Sequence, residues 1–436
     1  MPEIYYDSRN RDYYVINDRG QWISVNETSA KRHLKAQGFT THVLENNPLS
    51  PMDGCLSLIQ TQQDVSYTAP LAGYKAGIYE INNLRILVTD SPRFIETAEG
   101  EWPLLQGIFE GMFNEPTCDQ RPYFYGWLKN AMTALRNGKW QPGQILALAG
   151  AVRSAKSLCQ SLITKMLGGR VAHPYQFMTG ATTFNADLFA AEHLMIEDVA
   201  ESINIQKRRH FGAQIKAFSV NREQHCHGKR LTPLTLTPFW RITISLNDDP
   251  ERLMVLPPMD EDIADKIMLL NVNKRDMPMP TETSDEQSAF WNALLAELPA
   301  FLYYLDKWTI PDALRSQRFG IRHYHHPTLL AGLDALSPEQ QLLEMIDRCL
   351  FTGMTLPEAA WVGMAATLSS TLTEDDCDCR IQARSLLHSN TACGTYLARL
   401  HKKYPDRINP RRINGRTEYT IQPPVRDIPD HSKGAI

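Results

Sequence analysis

Residues 145–166 read ILALAGAVRSAKSLCQSLITKM, in which an apolar run of strand type leads into GAVRSAKS and then into a stretch of helical character. Backbone N–H groups at a helix start attract an anion, and a lysine ammonium with a hydroxyl completes a phosphate site. We expect Lys156 to contact the β- and γ-phosphates and Ser157 to bind Mg²⁺. The predicted phosphate-binding residues are Gly150, Ser154, Ala155, Lys156 and Ser157.

One residue of this loop departs from the usual phosphate-binding pattern. The pattern has glycine directly before the lysine, and this chain has Ala155 there, whose methyl group limits the approach of the backbone to a phosphate. Alanine is the smallest possible change. The alternative to a phosphate loop is a plain strand, turn and helix with a surface lysine.

Composition and charge restrict the class of protein. The chain has 436 residues, a formal net charge of −4, 43% hydrophobic and 22% charged residues, which favours two or three ordinary folded domains. The net charge excludes a polycation that binds nucleic acid by bulk attraction, so any such binding must be local. No apolar run approaches ~20 residues. We therefore expect no membrane partner, no signal peptide and a cytoplasmic location.

Acidic residues follow the next predicted buried strand, in HLMIEDVA (193–200). In nucleotide hydrolysis one carboxylate holds Mg²⁺ and another polarises the attacking water, and both lie beside the phosphate loop at the carboxyl edge of a sheet. We therefore predict Glu197 and Asp198 as the hydrolytic pair, with Glu197 also near the metal. Two solvated acids at a strand end are the alternative.

A third strand, in PFWRITISLND (238–248), ends at Asn247. An amide at this place can orient the attacking water between the metal site and the γ-phosphate, although Asn247 could also simply form a turn with the two aspartates after it. The phosphate loop, the acidic pair and Asn247 each directly follow a predicted strand. This series predicts an ATPase.

These elements and the basic stretch VNREQHCHGKR (220–230) occur in the order found in superfamily 3 helicases, which residues 141–275 resemble. Those proteins are AAA+ ring ATPases of small DNA viruses, phages and mobile elements. The whole chain also resembles the helicase part of phage-type primase-helicase proteins. The resemblance implies an α/β fold with an AAA+ type P-loop ATPase core, ATP and Mg²⁺ as ligands, and a homo-oligomer, a hexameric ring.

The resemblance also implies roles for particular residues. In that family a hairpin before the Asn247 strand projects into the ring channel and grips single-stranded DNA, which places His225, His227, Lys229 and Arg230 on DNA. Each ATP site is completed by a cation from the neighbouring subunit. The family has an arginine for this purpose, whereas this chain offers Lys266 at the equivalent segment and Arg252 as the nearest arginine.

The C-terminal part carries a separate signal. Residues 391–405 predict a basic amphipathic helix, and residues 407–422 predict a hairpin around Asn414 and Gly415. A helix followed by a hairpin is typical of a winged helix, which binds duplex DNA or a protein. The cations expected to contact DNA are Arg399, Lys402, Lys403, Arg411, Arg412 and Arg416.

The remaining patterns suggest the domain organisation. Aromatic alternation over 4–25 predicts a hairpin, Asn26 predicts a helix cap and Gly38 a helix end. The eight cysteines form no CxxC pair, and Cys377 and Cys379 are too close for an ordinary zinc pair, so we expect reduced thiols without metal. The predicted parts are an α+β module (1–75), connecting strands and a helical collar (76–140), the ATPase domain (141–280), a helical linker (281–330), a winged-helix domain (331–424) and a tail (425–436).

The sequence thus predicts an ATP-dependent helicase or translocase that draws one DNA strand through a ring, in replication of a phage or mobile element. Its expected partners are single-stranded and forked DNA and a primase or other replication protein. Two alternatives stay open. One is a nucleotide-binding ring or scaffold without unwinding activity, for example in a defence complex. The other is a DNA-binding initiator or regulator that acts mainly through residues 391–422.

Overall fold

A computed structural model of the protein describes residues 2–43, 48–116, 118–197, 205–351 and 359–424. The predicted catalytic residue Asp198 lies outside these ranges. The chain divides into two units, Met1–Leu329 and Leu330–Ile436, and each is described by itself. Among the described residues, no helix has the length and apolar character needed to cross a membrane.

The first unit begins with a small α+β module. Its sheet has the order β3-β2-β1-β4. Strands β2 and β3 form an antiparallel hairpin within residues 4–25, as predicted. The Oδ1 atom of Asn26 accepts from Ser29 N at 2.9 Å, which confirms the predicted helix cap. The elements are β1 (Ile4–Asp7), β2 (Asp12–Ile16), β3 (Trp22–Val25), α1 (Glu27–Ala36), α2 (Pro51–Gln62) and β4 (Asp64–Val65).

A second small sheet and two helices connect this module to the central sheet. The connecting strands expected within 76–140 include an antiparallel pair, with Asn82 and Asn83 at positive φ in its tight turn. The elements are β5 (Tyr67–Ala69), β6 (Gly77–Ile81), β7 (Leu84–Val88), α3 (Pro103–Phe113) and α4 (Arg121–Arg136).

The central sheet has the order β14-β8-β13-β10-β9, and its neighbouring strands run parallel. Every residue of its inner strands β8 and β13 is buried, because helices cover both faces of a parallel sheet. The elements of this part are β8 (Ile145–Ala149), α5 (Lys156–Met166), β9 (Val171–Ala172), α6 (Tyr175–Met178), β10 (His193–Ile196), α7 (Ile205–Val220), β11 (Gln224–Cys226), β12 (Leu234–Leu236), β13 (Arg241–Leu246), α8 (Pro250–Leu253) and β14 (Ile267–Asn271).

One large apolar cluster lies on the α5 side of this sheet, with side chains from α3, α4, α5, β8 and β14. The long helix α9 (Ser284–Lys307) adds Phe290, Leu294 and Phe301 to it. Thr283 and Glu286 form a capping box at the start of α9, which sets where the helix begins. The cluster holds α5, and with it the loop before α5, against the sheet.

Helix α10 (Pro327–Ala335) spans the boundary between the units. The second unit has a core formed by its helices and a sheet of order β15-β17-β16, in which β15 lies outside the predicted strands. Asn414 and Gly415 form the predicted turn, both at positive φ. The elements are α11 (Pro338–Leu350), β15 (Trp361–Met364), α12 (Ala365–Thr373), α13 (Arg380–Leu386), α14 (Ala392–Lys403), β16 (Ile408–Ile413) and β17 (Arg416–Ile421).

Candidate functional site

The segment from Gly150 to Ala155 forms a turn between β8 and α5. A Cβ atom on Gly150 would overlap the Val272 carbonyl oxygen, so only glycine fits there. Ala155 precedes α5 with φ 64° and ψ 19°, a left-handed conformation that costs a residue with a Cβ about 1–2 kcal/mol. Alanine in place of glycine at this position therefore adds backbone strain as well as a methyl group, and the strain could not be predicted from the sequence.

Lys156 is the first residue of α5, and its ammonium lies inside this turn. Nζ donates to Gly150 O at 2.7 Å, to Ala151 O at 2.8 Å and to Ser154 Oγ at 3.2 Å. It also lies 3.5 Å from Asn247 Oδ1. The side chain is not on the surface, because Lys156 is only 9% exposed. A plain turn with a surface lysine, the alternative from sequence, does not describe this arrangement.

The carboxyl ends of three adjacent strands meet at this turn. β13 lies between β8 and β10, with Leu246 paired to Ala149 and Ile196 paired to Ile244. Asn247 and Glu197 therefore leave the sheet on the edge from which the loop begins. Glu197 and Ser157 are exposed. The structure thus brings the predicted loop residues and Asn247 together. Glu197 follows β10, which is separated from the strand before Gly150 by β13 alone.

A buried polar network behind the loop was not found from sequence. Gln160 Nε2 on α5 donates to Thr243 Oγ1 on β13 at 2.8 Å and to Ile196 O on β10 at 3.2 Å. His193 lies between two hydroxyls, with Nδ1 2.6 Å from Thr164 Oγ1 and Nε2 2.8 Å from Thr243 Oγ1. The network ties the helix after the loop to both strands that end in candidate catalytic residues.

The hydroxyl contacts determine the tautomer of His193. Thr164 Oγ1 donates to Gln160 O at 3.1 Å, so it accepts from His193 Nδ1–H, and Nε2 accepts from Thr243. Burial lowers the pKa of His193 to about 3, which agrees with a neutral ring. In the sequence, this network could have been suspected from Gln160 and Thr164, two polar residues four positions apart on one face of α5.

The hairpin expected before the Asn247 strand is present as the antiparallel pair β11 and β12. His225 is exposed on β11, and Lys229 and Arg230 are exposed in the turn. His227 differs, because its ring packs on Phe184 at 5.1 Å and its backbone N donates to Asn185 Oδ1 at 2.7 Å. Three of the four predicted side chains are therefore exposed to solvent. His227 instead packs against residues of its own chain.

The two cations considered for a neighbouring ATP site lie beyond Asn247. Lys266 Nζ is 2.6 Å from Asp265 Oδ1 and donates to Asp262 O at 2.7 Å, and the residue is only 7% exposed. An ammonium that is buried and paired within its own chain does not fit a cation that reaches another subunit, so the expectation for Lys266 is corrected. Arg252 is half-buried on α8.

In the second unit the six predicted DNA-binding cations fall into two groups. Arg399 pairs with Glu339 at 3.4 Å and Lys403 with Asp334 at 2.7 Å, so their charges are balanced locally. The other four are exposed on α14 and the β16–β17 hairpin and are Lys402, Arg411, Arg412 and Arg416.

Three cysteines from two distant segments of the sequence lie together in the second unit. The sulfur atoms of Cys349, Cys377 and Cys379 are all within 4.8 Å of one another. The spacing of the eight cysteines in the sequence did not indicate this group, because Cys349 is 28 residues before Cys377.

Comparison with known proteins identifies the fold but no family. No protein-family model matches the sequence, and no curated protein matches it. An apo structure of the NrS-1 C-terminal region, in its A form, matches with a TM-score of 0.56 and 10% identity, covering 97% of this chain and 96% of that one. A second apo structure of that region matches with a TM-score of 0.54 and 11% identity over the same shares. At this identity the likeness concerns the fold alone.

Proposed function

We propose that this protein is an ATP-dependent DNA translocase of superfamily 3 type that works as a homo-oligomeric ring. The observation that carries the proposal is the position of the Lys156 ammonium, held between the turn before α5 and Asn247 at the end of the neighbouring strand. A lysine at a helix start beside polar strand ends is the arrangement that P-loop ATPases use for phosphoryl transfer. The fold shared with the NrS-1 C-terminal region is compatible with it.

The side chains present fit ATP and Mg²⁺. A phosphate at the start of α5 accepts from Lys156 in place of the loop carbonyls that Lys156 now contacts. Ser157 and Glu197 present an exposed hydroxyl and an exposed carboxylate, and oxygen atoms are the ligands that Mg²⁺ prefers. Bound Mg²⁺ supplies positive charge that stabilises the transferring phosphoryl group.

Hydrolysis then depends on residues at the strand ends. Glu197, with Asp198 as its predicted partner, polarises the attacking water, and Asn247 orients that water towards the γ-phosphate. Gln160, Thr243 and His193 act as positioning residues, since their hydrogen bonds hold α5 in register with β10 and β13. The network keeps the phosphate loop and the catalytic strand ends at a constant separation.

The exposed hairpin is the proposed DNA contact. His225, Lys229 and Arg230 place positive or hydrogen-bonding groups on a short, stiff element that leads directly into β13 and so into Asn247. A ring that passes one strand needs such donors on an element coupled to the nucleotide site. Arg9 donates to the Thr232 carbonyl in the same turn, so the N-terminal module supports the hairpin.

The second unit is proposed as a winged helix that engages duplex or forked DNA or a replication partner such as a primase. Its support is the helix α14 followed by the hairpin β16–β17 with exposed arginines at its tip. With Lys266 paired to Asp265, Arg252 is the proposed trans-acting cation. A hexamer is the proposed state of the ring.

A second candidate function is a nucleotide-binding ring or scaffold without motor activity, as in a defence complex. Two observations favour it: the strained backbone at Ala155, and the buried pairing of Lys266. Both reduce the fit to a fast hydrolytic site, although neither removes the phosphate-binding turn.

Steady-state ATP hydrolysis with and without single-stranded DNA separates the two candidates. The motor requires turnover that rises with DNA and disappears in Lys156→Ala, while Lys165→Ala, an exposed lysine on the same helix, retains it. Nucleotide binding with no turnover, or turnover that ignores DNA, rejects the motor and supports the scaffold. Normal ATP affinity in Lys156→Ala rejects both.

A further inference from the structure

Three cysteines of the second unit come from two separate segments. Cys349 lies in the last turn of α11, and Cys377 and Cys379 lie in the connection between α12 and α13. Their sulfur atoms all lie within 4.8 Å of one another, and Sγ of Cys349 is 3.0 Å from Sγ of Cys377. Cys379 is fully buried and the other two are half-buried.

The connection that carries two of these thiols has a defined backbone. Cys377 N donates to Glu374 O at 3.2 Å, Arg380 N to Cys377 O at 3.0 Å and Ala383 N to Cys379 O at 2.8 Å. The Asp375 carboxylate is engaged by Arg380 at 3.0 Å and Arg384 at 3.1 Å. The turn is therefore held in place by contacts that do not involve the sulfur atoms, and it directs both thiols towards α11.

Two kinds of chemistry can join neighbouring thiols. A disulfide uses two sulfur atoms and leaves the third without a role, whereas a tetrahedral metal uses all three. In a zinc site with Zn–S bonds of about 2.3 Å, neighbouring sulfur atoms lie about 3.8 Å apart. The cluster spans this separation, from 3.0 Å for one pair up to a limit of 4.8 Å. The convergence of three sulfur atoms therefore favours the metal.

We propose that Cys349, Cys377 and Cys379 bind one zinc ion as thiolates. Among the residues that the structure describes, these three sulfur atoms form the group of possible ligands, and a tetrahedral ion has one further position. Soft thiolate ligands in a tetrahedral arrangement favour zinc or an iron–sulfur cluster, and a single ion on three sulfur atoms fits zinc. This site is separate from the proposed nucleotide site and does not depend on it.

The ion would act as a cross-link in the second unit. It joins the end of α11 to a turn 28 residues further along the chain, between α12 and α13. All three cysteines belong to or pack against the core that also holds Leu397 and Leu400 of α14. Since metal binding free energy at such a site is folding free energy, the cross-link stabilises the scaffold on which α14 and the β16–β17 hairpin are mounted.

The test measures zinc in the full-length protein, purified under reducing conditions, reconstituted with zinc chloride and freed of excess metal. We expect one zinc per chain by elemental mass spectrometry. Cys349→Ser, Cys377→Ser and Cys379→Ser should each bind less than a third of that amount. The matched control is Cys393→Ser, which removes a buried cysteine of the same core outside the cluster and should retain the full amount.

A second measurement uses only the wild-type chain, so it does not depend on the folding of a variant. Replacement of zinc by Co²⁺ should produce sulfur-to-cobalt charge-transfer absorption and the visible bands of a tetrahedral ion. A chain that binds no zinc, that forms a Cys349–Cys377 disulfide by peptide mass mapping under the same reducing conditions, or whose Co²⁺ spectrum shows no thiolate ligation overturns the proposal. So does equal zinc loss in Cys393→Ser and the three cluster variants.

Discussion

Nζ of Lys156 lies 3.5 Å from Oδ1 of Asn247, although the two residues are 91 positions apart in the chain. The contact exists because β13 is the strand inserted between β8 and β10, so its carboxyl end meets the turn before α5. A ligand bound at Lys156 would therefore lie beside the end of β13, the strand that follows the β11–β12 hairpin.

Replacing Asn247 with alanine should separate nucleotide binding from turnover. Lys156 and the helix start remain, so ATP affinity should stay within about twofold, while loss of one orienting group should lower turnover by about 100-fold. Fluorescent-nucleotide titration and steady-state hydrolysis measure the two quantities. Asn221→Ala, which changes an exposed asparagine after α7, is the control. Unchanged turnover in Asn247→Ala would remove Asn247 from the catalytic site.

Glu197→Gln should bind ATP and fail to hydrolyse it, because the neutral amide cannot polarise the attacking water. Retained ATP should stabilise the ring, so mass photometry with ATP is expected to show more of the highest oligomer than in the wild type. Glu80→Gln, an exposed carboxylate on β6, should behave as the wild type. A monomeric Glu197→Gln protein with bound ATP would contradict the ring.

Lys229→Ala with Arg230→Ala should keep basal hydrolysis and lose its stimulation by single-stranded DNA. Each lost phosphate contact lowers the salt dependence of binding by roughly 0.7, so the double variant should lower the slope by about 1.4. Fluorescence anisotropy at several salt concentrations gives this slope. Arg32→Ala with Lys35→Ala removes two exposed cations from α1 as a control of equal charge. Equal losses in both double variants would point to a diffuse charge effect.

His193 should make stability depend on pH. Its pKa is about 3 in the folded chain against 6.5 for an ordinary histidine, so below pH 6.5 the unfolded chain binds a proton that the folded chain cannot. Stability is complete above pH 6.5 and falls towards pH 3, by about 2 kcal/mol between pH 6.5 and pH 5. Urea unfolding of His193→Gln should lack this part of the loss, whereas the exposed-site variant His42→Gln should keep it. Identical pH profiles in all three proteins would show that His193 is accessible to protons.

The cations of the second unit should differ in their effect on duplex DNA. Replacing Lys402, Arg411, Arg412 and Arg416 with alanine should weaken binding and lower the salt slope by up to about 3.6. Arg399→Ala with Lys403→Ala should change the slope less per charge, because Glu339 and Asp334 already balance these two residues. If the salt slope changes equally per charge removed in both variants, the ion pairs with Glu339 and Asp334 do not weaken the contact of Arg399 and Lys403 with DNA.

Much of the local structure could be predicted from the sequence. An apolar strand followed by a glycine turn and a helix start, the cap at Asn26 and the Asn-Gly turn at 414–415 each depend on a few consecutive residues. Parallel strands align their carboxyl ends. The order of polar strand ends therefore predicted that Lys156 and Asn247 would meet.

Other features depend on which distant segments approach each other, and no local pattern reports that. The sequence suggested Lys266 as a cation for the ATP site of a neighbouring subunit, but its buried ammonium contacts Asp265 and the Asp262 carbonyl. His193 is neutral because burial lowers its pKa, and Thr164 and Thr243, from a helix and a neighbouring strand, contact its two ring nitrogens. Cys349 joined Cys377 and Cys379 only through the packing of α11 on the α12–α13 turn. The charge state of a buried group depends on how much water the packed chain leaves around it, and the grouping of ligands depends on which distant segments pack together.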